Sequence, residues 1–331
     1  MALLLEPICP LCGERLLINP EKSICSKGHI YPVLLDIILD LSSTQEYLFD
    51  HENPEMIANL ISMFDKISYH ELYEIEFRGS NSVPEKLLHH YRNYYSTAIE
   101  RNQRMTHIFR RQATDHFINN GTDAALEIGC GRGGNLVILS KMYRYVVGID
   151  PCLSNLILAK KLLEEKRVSN VLLIRGYGQK VPYPSFSFDY VTAINVLEHV
   201  IDIDTIVKEI YRIMCTGGIF VADSRNRYDI FFPEPHVKVR FVGFLPRHWA
   251  KKYVHWRTGT VYDQKSLLSY FDLNRVLKKY FGKKYKILCV RVSAYGYSEL
   301  IDTLVFMLSR IPILSKIILL IFPSHVIISQ K

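Results

Sequence analysis

A glycine-rich stretch between two acidic residues is the part of this sequence best suited to hold a ligand. Glu127 closes an apolar run, and three glycines follow at alternate positions, Gly129, Gly131 and Gly133. Glycine lets a ligand lie against bare backbone and adopts φ values that other residues avoid. Asp150 ends the next apolar run, where its carboxylate is placed to take both hydroxyls of a ribose. The pattern predicts a site for a nucleoside-bearing ligand, with Glu127 placed to pair with an ammonium group.

Two classes of nucleoside ligand fit these glycines. Gly129, Gly131 and Gly134 also satisfy the dinucleotide pattern G-x-G-x-x-G, which discriminates poorly by itself. The ordered set of motifs resembles the class I S-adenosylmethionine-dependent methyltransferases over residues 122–223. That set is completed by residues 188–191 (FDYV), 195–200 (NVLEHV) and 216–221 (TGGIFV). The resemblance implies S-adenosylmethionine as the cofactor, rather than a nicotinamide nucleotide, with Glu127 at its methionine ammonium.

The resemblance also assigns cofactor contacts downstream of Asp150. Residues 175–183 correspond to the adenine-contact segment of the family. Tyr177 stands where the family usually carries an acidic acceptor, so we expect Tyr177 to stack on the ring and the backbone of Gly178 to hydrogen-bond it. Asn195 replaces a glutamate that helps to hold a divalent metal in related quinone O-methyltransferases, which argues against a metal there. The predicted cofactor-binding residues are Glu127, Gly129, Gly131, Gly133, Asp150, Tyr177, Gly178 and Asn195.

Three residues are candidates for catalysis, namely His199, His236 and Arg247. His199 follows the fourth predicted strand, where a neutral imidazole can take a proton from a substrate hydroxyl. The alternative role of His199 is packing beneath the cofactor. His236 and Arg247 belong to the motif PEPH…GFLPR, which resembles the insert of an uncharacterised methyltransferase branch associated with cell-surface polysaccharide or lipid biosynthesis. We predict that this insert, residues 225–260, covers the active site and suits sugars or anionic groups; a purely structural cap is the alternative.

A separate cluster of metal-ligand residues lies near the start of the chain. Cys9, Cys12, Cys25 and His29 follow the spacing C-x2-C-x12-C-x3-H, which suits a closed, structural Zn²⁺ site. Residues 1–40 are therefore predicted to form a zinc ribbon. The ribbon resembles the one at the start of the 23S ribosomal RNA guanine-N1 methyltransferases, which raises RNA as an alternative partner. Three basic and three acidic residues over 1–32 give no positive surface to support that alternative.

The net charge of +8 is distributed unevenly. Residues 1–120 carry a net charge of −5 and residues 121–331 one of +13, and 13 basic but only 2 acidic residues fall within 236–286. Such a patch favours an anionic partner, namely nucleic acid, a membrane surface or an acidic substrate; a solvated basic face is the alternative. An apolar helical insertion over 297–322, flanked by Arg310 and Lys316, adds the prospect of peripheral membrane contact. With no signal peptide expected, we predict a cytoplasmic protein, or one peripheral to the inner face of the membrane.

Alternating strands and helices over 121–331 predict a Rossmann-like, doubly wound α/β sheet of seven strands with the ligand crevice at their carboxyl ends. The segment 41–120 shows helical spacing and is predicted to be a helical linker or cap. The strands are expected at 125–128, 145–149, 171–175, 190–194, 219–223, 286–292 and 326–330, and the helices between them at 135–142, 153–166 and 204–214.

Three functions compete for this fold. The leading hypothesis is S-adenosylmethionine-dependent methyl transfer to a small-molecule, glycan or lipid-linked acceptor. The alternative is an rRNA or tRNA base methyltransferase that recognises RNA through the zinc ribbon. A third hypothesis retains the fold as a non-enzymatic, cofactor-binding scaffold. The oligomeric state is left open.

Overall fold

A computed structural model describes residues 5–41, 52–79, 98–114, 123–200, 202–234, 237–259, 262, 267–289 and 299–331. The chain divides into two compact units, each assembled from three segments. The first unit comprises Met1–Thr106, Asn120–Thr192 and Arg212–Gly218, and the second comprises His107–Asn119, Ala193–Tyr211 and Ile219–Lys331. These units run across the predicted boundaries at residues 40 and 120, so the division into ribbon, linker and catalytic domain stays a prediction.

The N-terminal part of the first unit is a meander of short strands followed by helices. The strands are β1 (Leu16–Ile18), β2 (Lys22–Cys25), β3 (Ile30–Leu34) and β4 (Ile37–Ile38), and each pairs antiparallel with the next. The helices are α1 (Pro54–Met63), α2 (Tyr69–Gly79) and α3 (Ala98–Thr114), and residues 107–114 of α3 belong to the second unit. The helical spacing over 41–120 therefore corresponds to three helices, which account for most of the described residues of that segment.

A parallel sheet forms the centre of the first unit. Its elements are β5 (Ala124–Ile128), α4 (Leu136–Leu139), β6 (Tyr145–Asp150), α5 (Leu153–Glu165), β7 (Val171–Arg175) and β8 (Phe188–Ala193). β5 pairs in parallel with both β6 and β8, and β6 pairs with β7. Every residue of β5 is buried, as expected for a parallel strand covered on both faces. The carboxyl ends of β5 and β6 therefore lie side by side, where the predicted ligand residues begin.

The strand count differs from the sequence prediction. Eleven strands are present in the described residues, whereas seven were predicted; the seven correspond to β5–β8 and to three strands of the second unit. The additional four are β1–β4, and in the first unit the order is β1-β2-β3-β4-β7-β6-β5-β8. Ile37 pairs in parallel with Leu173 and Ile38 with Ile174, so the N-terminal meander extends the sheet edge at β7. A strand of two residues has too few positions to show any periodicity, which explains why the prediction omitted it.

Contacts outside the strands also fasten the N-terminal meander to the first unit. The backbone N–H of Ile8 donates to the carbonyl of Pro182 at 2.8 Å, and the Lys160 ammonium lies 2.7 Å from the Asp36 carboxylate. Both Ile37 and Ile38 are fully buried. The cysteine–histidine segment is thus packed against the parallel sheet rather than joined to it by a free linker.

The second unit combines an antiparallel sheet with helices. Its elements are α6 (Ile203–Ile213), β9 (Met214–Arg225, shared with the first unit), α7 (Arg247–Thr258), α8 (Tyr270–Phe281), β10 (Tyr285–Cys289), α9 (Glu299–Ser309), α10 (Pro312–Ile321) and β11 (Ser324–Gln330). β11 lies between β9 and β10 and is antiparallel to both. α9 and α10 occupy the apolar segment predicted as a helical insertion over 297–322.

Candidate active site

The glycine loop after β5 has the backbone conformation that the sequence predicted. Gly129, Gly131 and Gly133 adopt φ values of +68°, +51° and +79°. A Cβ at Gly133 would lie 3.0 Å from the Ala159 Cβ and 3.1 Å from its Cα, so glycine is needed for α5 to approach the loop. A Cβ at Gly131 would meet no atom within 4 Å. The loop is therefore packed at Gly133 and faces open space at Gly131, where a ligand has room.

Asp150, the last residue of β6, holds this loop in place. Its Oδ2 accepts a hydrogen bond from the Gly131 N–H at 2.8 Å, and its Oδ1 accepts from the Cys152 N–H at 2.9 Å and the Asn155 side chain at 3.2 Å. Burial raises the pKa of Asp150, although the three hydrogen bonds favour its carboxylate. Since a carboxylate has about four acceptor positions, Asp150 retains capacity for a ligand hydroxyl.

Glu127 is the least satisfied polar group of the loop. Its side chain is buried, and its Oε1 accepts from Asn135 Nδ2 at 3.0 Å. The Asn135 carbonyl in turn accepts from the Thr106 hydroxyl. Among the residues that the structure describes, Glu127 Oε2 has no hydrogen-bond partner. Burial raises the pKa of Glu127 to about 8; the Asp150 charge adds to the rise and the Asn135 hydrogen bond opposes it.

An orphaned carboxylate oxygen of this kind points to a missing cationic donor. A buried polar atom without a partner costs about 1–3 kcal/mol, and more when it is charged. A ligand ammonium at Oε2 would remove that cost and favour the ionised form of Glu127. Sequence reasoning identified Glu127 but missed Asn135 and Thr106; the one available signal was a polar residue placed directly after the glycines.

Helix α2 contributes a second contact that the sequence did not reveal. The Arg132 guanidinium lies 2.7 Å from a Glu76 carboxylate oxygen and 5.2 Å above the Tyr73 ring. Glu76 is buried on the face of α2 that also buries Leu72. α2 therefore holds the side chain of a glycine-loop residue. The sequence signal that could have identified Glu76 is the presence of an acidic residue on the apolar face of a helix.

The predicted adenine-contact segment lies beside Asp150. The Gly176 N–H donates to the Asp150 carbonyl at 3.1 Å, which places the residues after β7 next to the end of β6. Gly178 is buried and Tyr177 is half-buried. The structure thus brings seven of the eight predicted cofactor residues into the first unit, from Glu127 to Gly178. Their roles in binding stay predictions.

The other predicted site residues belong to the second unit or fall outside the described residues. Asn195 is exposed with a φ of +55°, and its N–H donates to Asp223 Oδ1 at 2.6 Å. His199 is half-buried and ends a short 3₁₀ helix, Leu197–His199. Arg247 is exposed at the first turn of α7, and His236 lies outside the described residues.

A buried acidic residue next to His199 is the main electrostatic feature of this part of the second unit. Burial raises the pKa of Glu198 to about 8, and the neighbouring Asp223 carboxylate adds to the rise, while Arg225 opposes it. Glu198 Oε2 has no hydrogen-bond partner within the described part of the chain. The raised pKa therefore favours the neutral form of the Glu198 carboxyl at pH 7.

Replacing Glu198 by glutamine is expected to change how stability depends on pH. The folded-state pKa of about 8 exceeds the ordinary value of 4.5, so the stability that the neutral carboxyl provides is complete below about pH 4.5 and is lost as pH rises through 8. The Glu198→Gln variant lacks this loss. Its free energy of unfolding relative to the wild type should rise by about 2–4 kcal/mol between about pH 5 and about pH 9 in urea titrations. A pH-independent difference between the two proteins would contradict the assignment.

The four predicted metal ligands meet at one point of the N-terminal meander. The Cys9, Cys12 and Cys25 sulfurs and a His29 nitrogen all lie within 4.8 Å of one another. Cys9 Sγ and Cys25 Sγ are each 3.4 Å from His29 Nδ1, and the Cys12 and Cys25 sulfurs are 3.6 Å apart. Sulfurs in a tetrahedral zinc site, with Zn–S bonds of about 2.3 Å, stand about 3.8 Å apart. The donor set and its spacing fit a tetrahedral metal ion.

The Cys9 thiol has a local environment that favours its thiolate. Its burial raises its pKa, but hydrogen bonds from the Tyr31 hydroxyl and from nearby backbone N–H groups outweigh burial and lower the pKa to about 6. The Tyr31 hydroxyl lies 3.1 Å from Cys9 Sγ. Tyr31, on β3, was not identified from the sequence, and it supports the cysteine most deeply buried in the cluster.

Comparisons with known proteins match the region of the glycine loop. A family model described as "Methyltransferase domain" matches residues 126–222. The demethylmenaquinone methyltransferase of Oceanobacillus iheyensis is 30% identical over 148 residues, which is 42% of this chain and 62% of that protein. The ubiquinone biosynthesis O-methyltransferase of Bradyrhizobium diazoefficiens is 30% identical over 172 residues, 45% of this chain and 67% of that protein.

The matches cover part of each relative. The chain spans between about half and two thirds of the length of the curated relatives it matches. Among solved structures, the chain is similar to phosphoethanolamine N-methyltransferase 2 of Haemonchus contortus, with a TM-score of 0.47 and 16% sequence identity. The superposition covers 70% of this chain and 52% of the Haemonchus protein.

Proposed function

Because the chain belongs to the class I S-adenosylmethionine-dependent methyltransferases, we propose that it transfers a methyl group from S-adenosylmethionine. The proposed acceptor is a small molecule, a glycan or a lipid-linked compound. The observation that carries the proposal is the buried Glu127 carboxylate, with one oxygen held by Asn135 and the other without a partner among the described residues. The methionine end of the cofactor carries the ammonium group that this oxygen lacks.

The remaining loop residues have complementary roles in binding. The backbone of Gly131 and Gly133 lines the cofactor, because a side chain at Gly131 would occupy the open space beside the loop. Asp150, fixed by three hydrogen bonds, accepts from the ribose. Tyr177 and Gly178 contact the adenine from the segment that follows β7. This assignment gives each polar part of the cofactor one counterpart in the first unit.

Methyl transfer requires orientation and removal of one proton. S-adenosylmethionine supplies an electrophilic methyl group on a sulfonium, so positioning and exclusion of water provide most of the acceleration. For a hydroxyl acceptor, a bond forms between the acceptor oxygen and the methyl carbon as the S–CH₃ bond breaks, and the electron pair of that bond neutralises the sulfur. We assign the released proton to the His199 imidazole, whose ordinary pKa suits a base near neutral pH. Arg247 and His236 are proposed to contact the acceptor.

The acceptor is proposed to be a small molecule. The two relatives described above are named for demethylmenaquinone and for ubiquinone biosynthesis, and both names denote small-molecule chemistry. The rRNA or tRNA alternative lacks a supporting observation, because the cysteine–histidine segment has as many acidic as basic residues.

We also propose that Cys9, Cys12, Cys25 and His29 hold a structural zinc ion. Four protein ligands would close the coordination sphere and leave no position for a substrate or for water. The ion would fix β1–β3 against the β7 edge of the sheet, to which β4 is hydrogen-bonded. Its role is therefore in the stability of the first unit and not in methyl transfer.

The acceptor class is tested by the fate of a labelled methyl group. The protein is incubated with S-adenosylmethionine labelled in its methyl group and an extract of the cells that express it, and the products are divided by nuclease digestion and solvent extraction. We expect the label in the solvent-extractable or small-molecule fraction. A Gly131→Arg variant, whose side chain would occupy the open space beside the loop, should transfer no label; since its φ of +51° strains any other residue, circular dichroism and thermal melting check that the variant is folded. Label released only by nuclease would favour the RNA alternative.

A further inference from the structure

We propose that the second unit docks on an anionic lipid bilayer through a surface made of α7, the aromatic residues that precede it and the helix pair α9–α10. This docking surface does not depend on methyl transfer. Among the described residues no helix is both long and apolar enough to cross a bilayer.

α7 has the composition and geometry of an interfacial helix. Ala250 and Val254 are its buried residues and pack into a small core. Trp249 and Trp256 are 59% and 76% exposed, and with Lys252 they follow the spacing i, i+3, i+7 on the opposite face. The helix RHWAKKYVHWRT contains no acidic residue. Tryptophan and basic side chains on one outward face suit the headgroup region of a membrane, where the indole is half in water and the cation meets lipid phosphate.

The helix pair α9–α10 supplies an aliphatic surface. Leu300, Leu304 and Leu308 recur every four residues along α9, and all three are exposed. On α10, Ile313 is 71% and Ile317 is 45% exposed. None of the ten residues of α10, all of them described, is buried. A helix that exposes aliphatic side chains along a whole face is unusual for a free protein surface and marks a contact site.

Hydrogen bonds and a ring contact connect the end of α10 to the segment before α7. The Asn226 side chain donates to the carbonyls of Leu320 and Phe322 at 2.9 and 2.8 Å. Two residues further on, the Tyr228 ring lies 5.3 Å from the ring of Phe244, which precedes α7 by three residues.

Three exposed aromatic rings extend the apolar surface between these two helices. The Phe231 ring packs 5.9 Å from that of Phe322, and the Phe241 and Phe244 rings are 6.1 Å apart. The exposed fractions of Phe231, Phe241 and Phe244 are 47%, 53% and 48%. Apolar side chains therefore continue from the end of α10 towards the basic face of α7.

Charge and chemistry together select a lipid surface as the occupant. α7 carries Arg247, Lys251, Lys252 and Arg257 but no acidic residue, so it repels a second copy of the same helix and attracts an anionic partner. RNA would use the basic and aromatic residues of α7 but leaves the aliphatic face of α9–α10 without a partner. An anionic bilayer can contact both the basic face of α7 and the aliphatic face of α9–α10. Its phosphates pair with the cations, and its acyl region accommodates the leucine and isoleucine side chains.

The two tryptophans of the chain, Trp249 and Trp256, both lie on α7, so tryptophan emission, excited at a wavelength that tyrosine does not absorb, reports on this surface alone. The full chain is mixed, without cofactor, with vesicles of phosphatidylcholine alone or of about three parts phosphatidylcholine to one part phosphatidylglycerol. We expect a blue shift of tryptophan emission and quenching by bromine-labelled acyl chains only with the anionic vesicles. Binding should weaken at least tenfold when salt is raised from about 0.05 M to about 0.5 M.

Two double variants separate the charged and apolar contributions. Lys251→Glu with Lys252→Glu, and Ile313→Ser with Ile317→Ser, should each lower the vesicle partition coefficient about tenfold or more. All four side chains are exposed, so the variants should keep the wild-type melting temperature. Phe186→Ser is the matched control, because it removes a large apolar side chain that is 59% exposed in the first unit, and its partitioning should equal that of the wild type.

Three results would overturn the proposal. One is unchanged tryptophan emission with anionic vesicles at low salt. The second is a dimer in sedimentation that the Ile313→Ser, Ile317→Ser variant abolishes, which would make a second copy the occupant. The third is a salt-dependent change in emission with RNA but none with vesicles.

Discussion

Replacing Glu127 by glutamine is expected to weaken S-adenosylmethionine binding about 100-fold, or about 3 kcal/mol. The variant keeps an oxygen to accept from Asn135, so the contact at 3.0 Å and the packing of the loop are preserved. What is lost is the negative charge at the second carboxyl oxygen, which has no partner among the described residues. Isothermal titration calorimetry of both proteins measures the loss.

The same substitution should remove a pH dependence. With a pKa of about 8 in the free protein, Glu127 must lose a proton before it can pair with the ligand ammonium. Protons therefore compete with the cofactor, and the wild-type affinity should rise about 20-fold between about pH 6 and about pH 7.5. The ligand amine stays largely protonated in this interval. The Glu127→Gln variant should show a flat profile there.

The side chain of Asp189, on the neighbouring strand β8, provides a control carboxylate at the opposite end of β5 from the glycine loop. Asp189 accepts hydrogen bonds from the Asp123 and Ala124 N–H groups at 3.1 Å each, where β5 begins. An Asp189→Asn variant should bind the cofactor with wild-type affinity and pH dependence. Equal losses in the Asp189 and Glu127 variants would show that Glu127 acts through stability and not through contact with the ligand.

Much of the first unit was predictable because its strands are buried on both faces. The predicted strand at 171–175 has the bounds of β7, and those at 125–128 and 145–149 differ from β5 and β6 by one residue each. A continuous apolar run followed by an acidic residue is a local sequence pattern that indicates where such a buried parallel strand lies. The prediction of helix 135–142 was too long, since α4 spans only Leu136–Leu139.

The partners of the site residues were not predictable, because they come from distant parts of the chain. Thr106 reaches Asn135 and Glu76 reaches Arg132 across 29 and 56 residues, respectively. The raised pKa of Glu127 depends on burial beneath these contacts, which no local pattern encodes. For the same reason the pairing of Ile37 with Leu173 was missed: a strand was predicted at 171–175, but none was predicted at Ile37.

Removal of zinc should unfold the N-terminal meander while the parallel sheet remains. Structural zinc sites contribute on the order of 10 kcal/mol to the folding of segments this small, which cannot bury a core of their own. The purified protein is expected to contain one zinc per chain by mass spectrometry of the metal. After chelation, the amides of β1–β3 should exchange with solvent at near-unfolded rates, whereas those of β5 and β6, which pair with each other in parallel, should stay protected.

A Cys25→Ser variant should reproduce the effect of chelation, since Cys25 Sγ contacts both Cys12 and His29 at 3.6 and 3.4 Å. Cys215→Ser is the matched control, because Cys215 lies outside the cluster and a serine hydroxyl can replace its contact with the Phe186 carbonyl. The Cys215→Ser variant should retain its zinc ion, and its β1–β3 amides should stay protected from hydrogen exchange. Since β4 is hydrogen-bonded to β7, protection lost in the Cys25 variant should reach β7 and stop there. A metal-free protein whose β1–β3 amides stay protected would refute the structural role of zinc and show that the contacts of the meander with the rest of the first unit are sufficient to hold it folded.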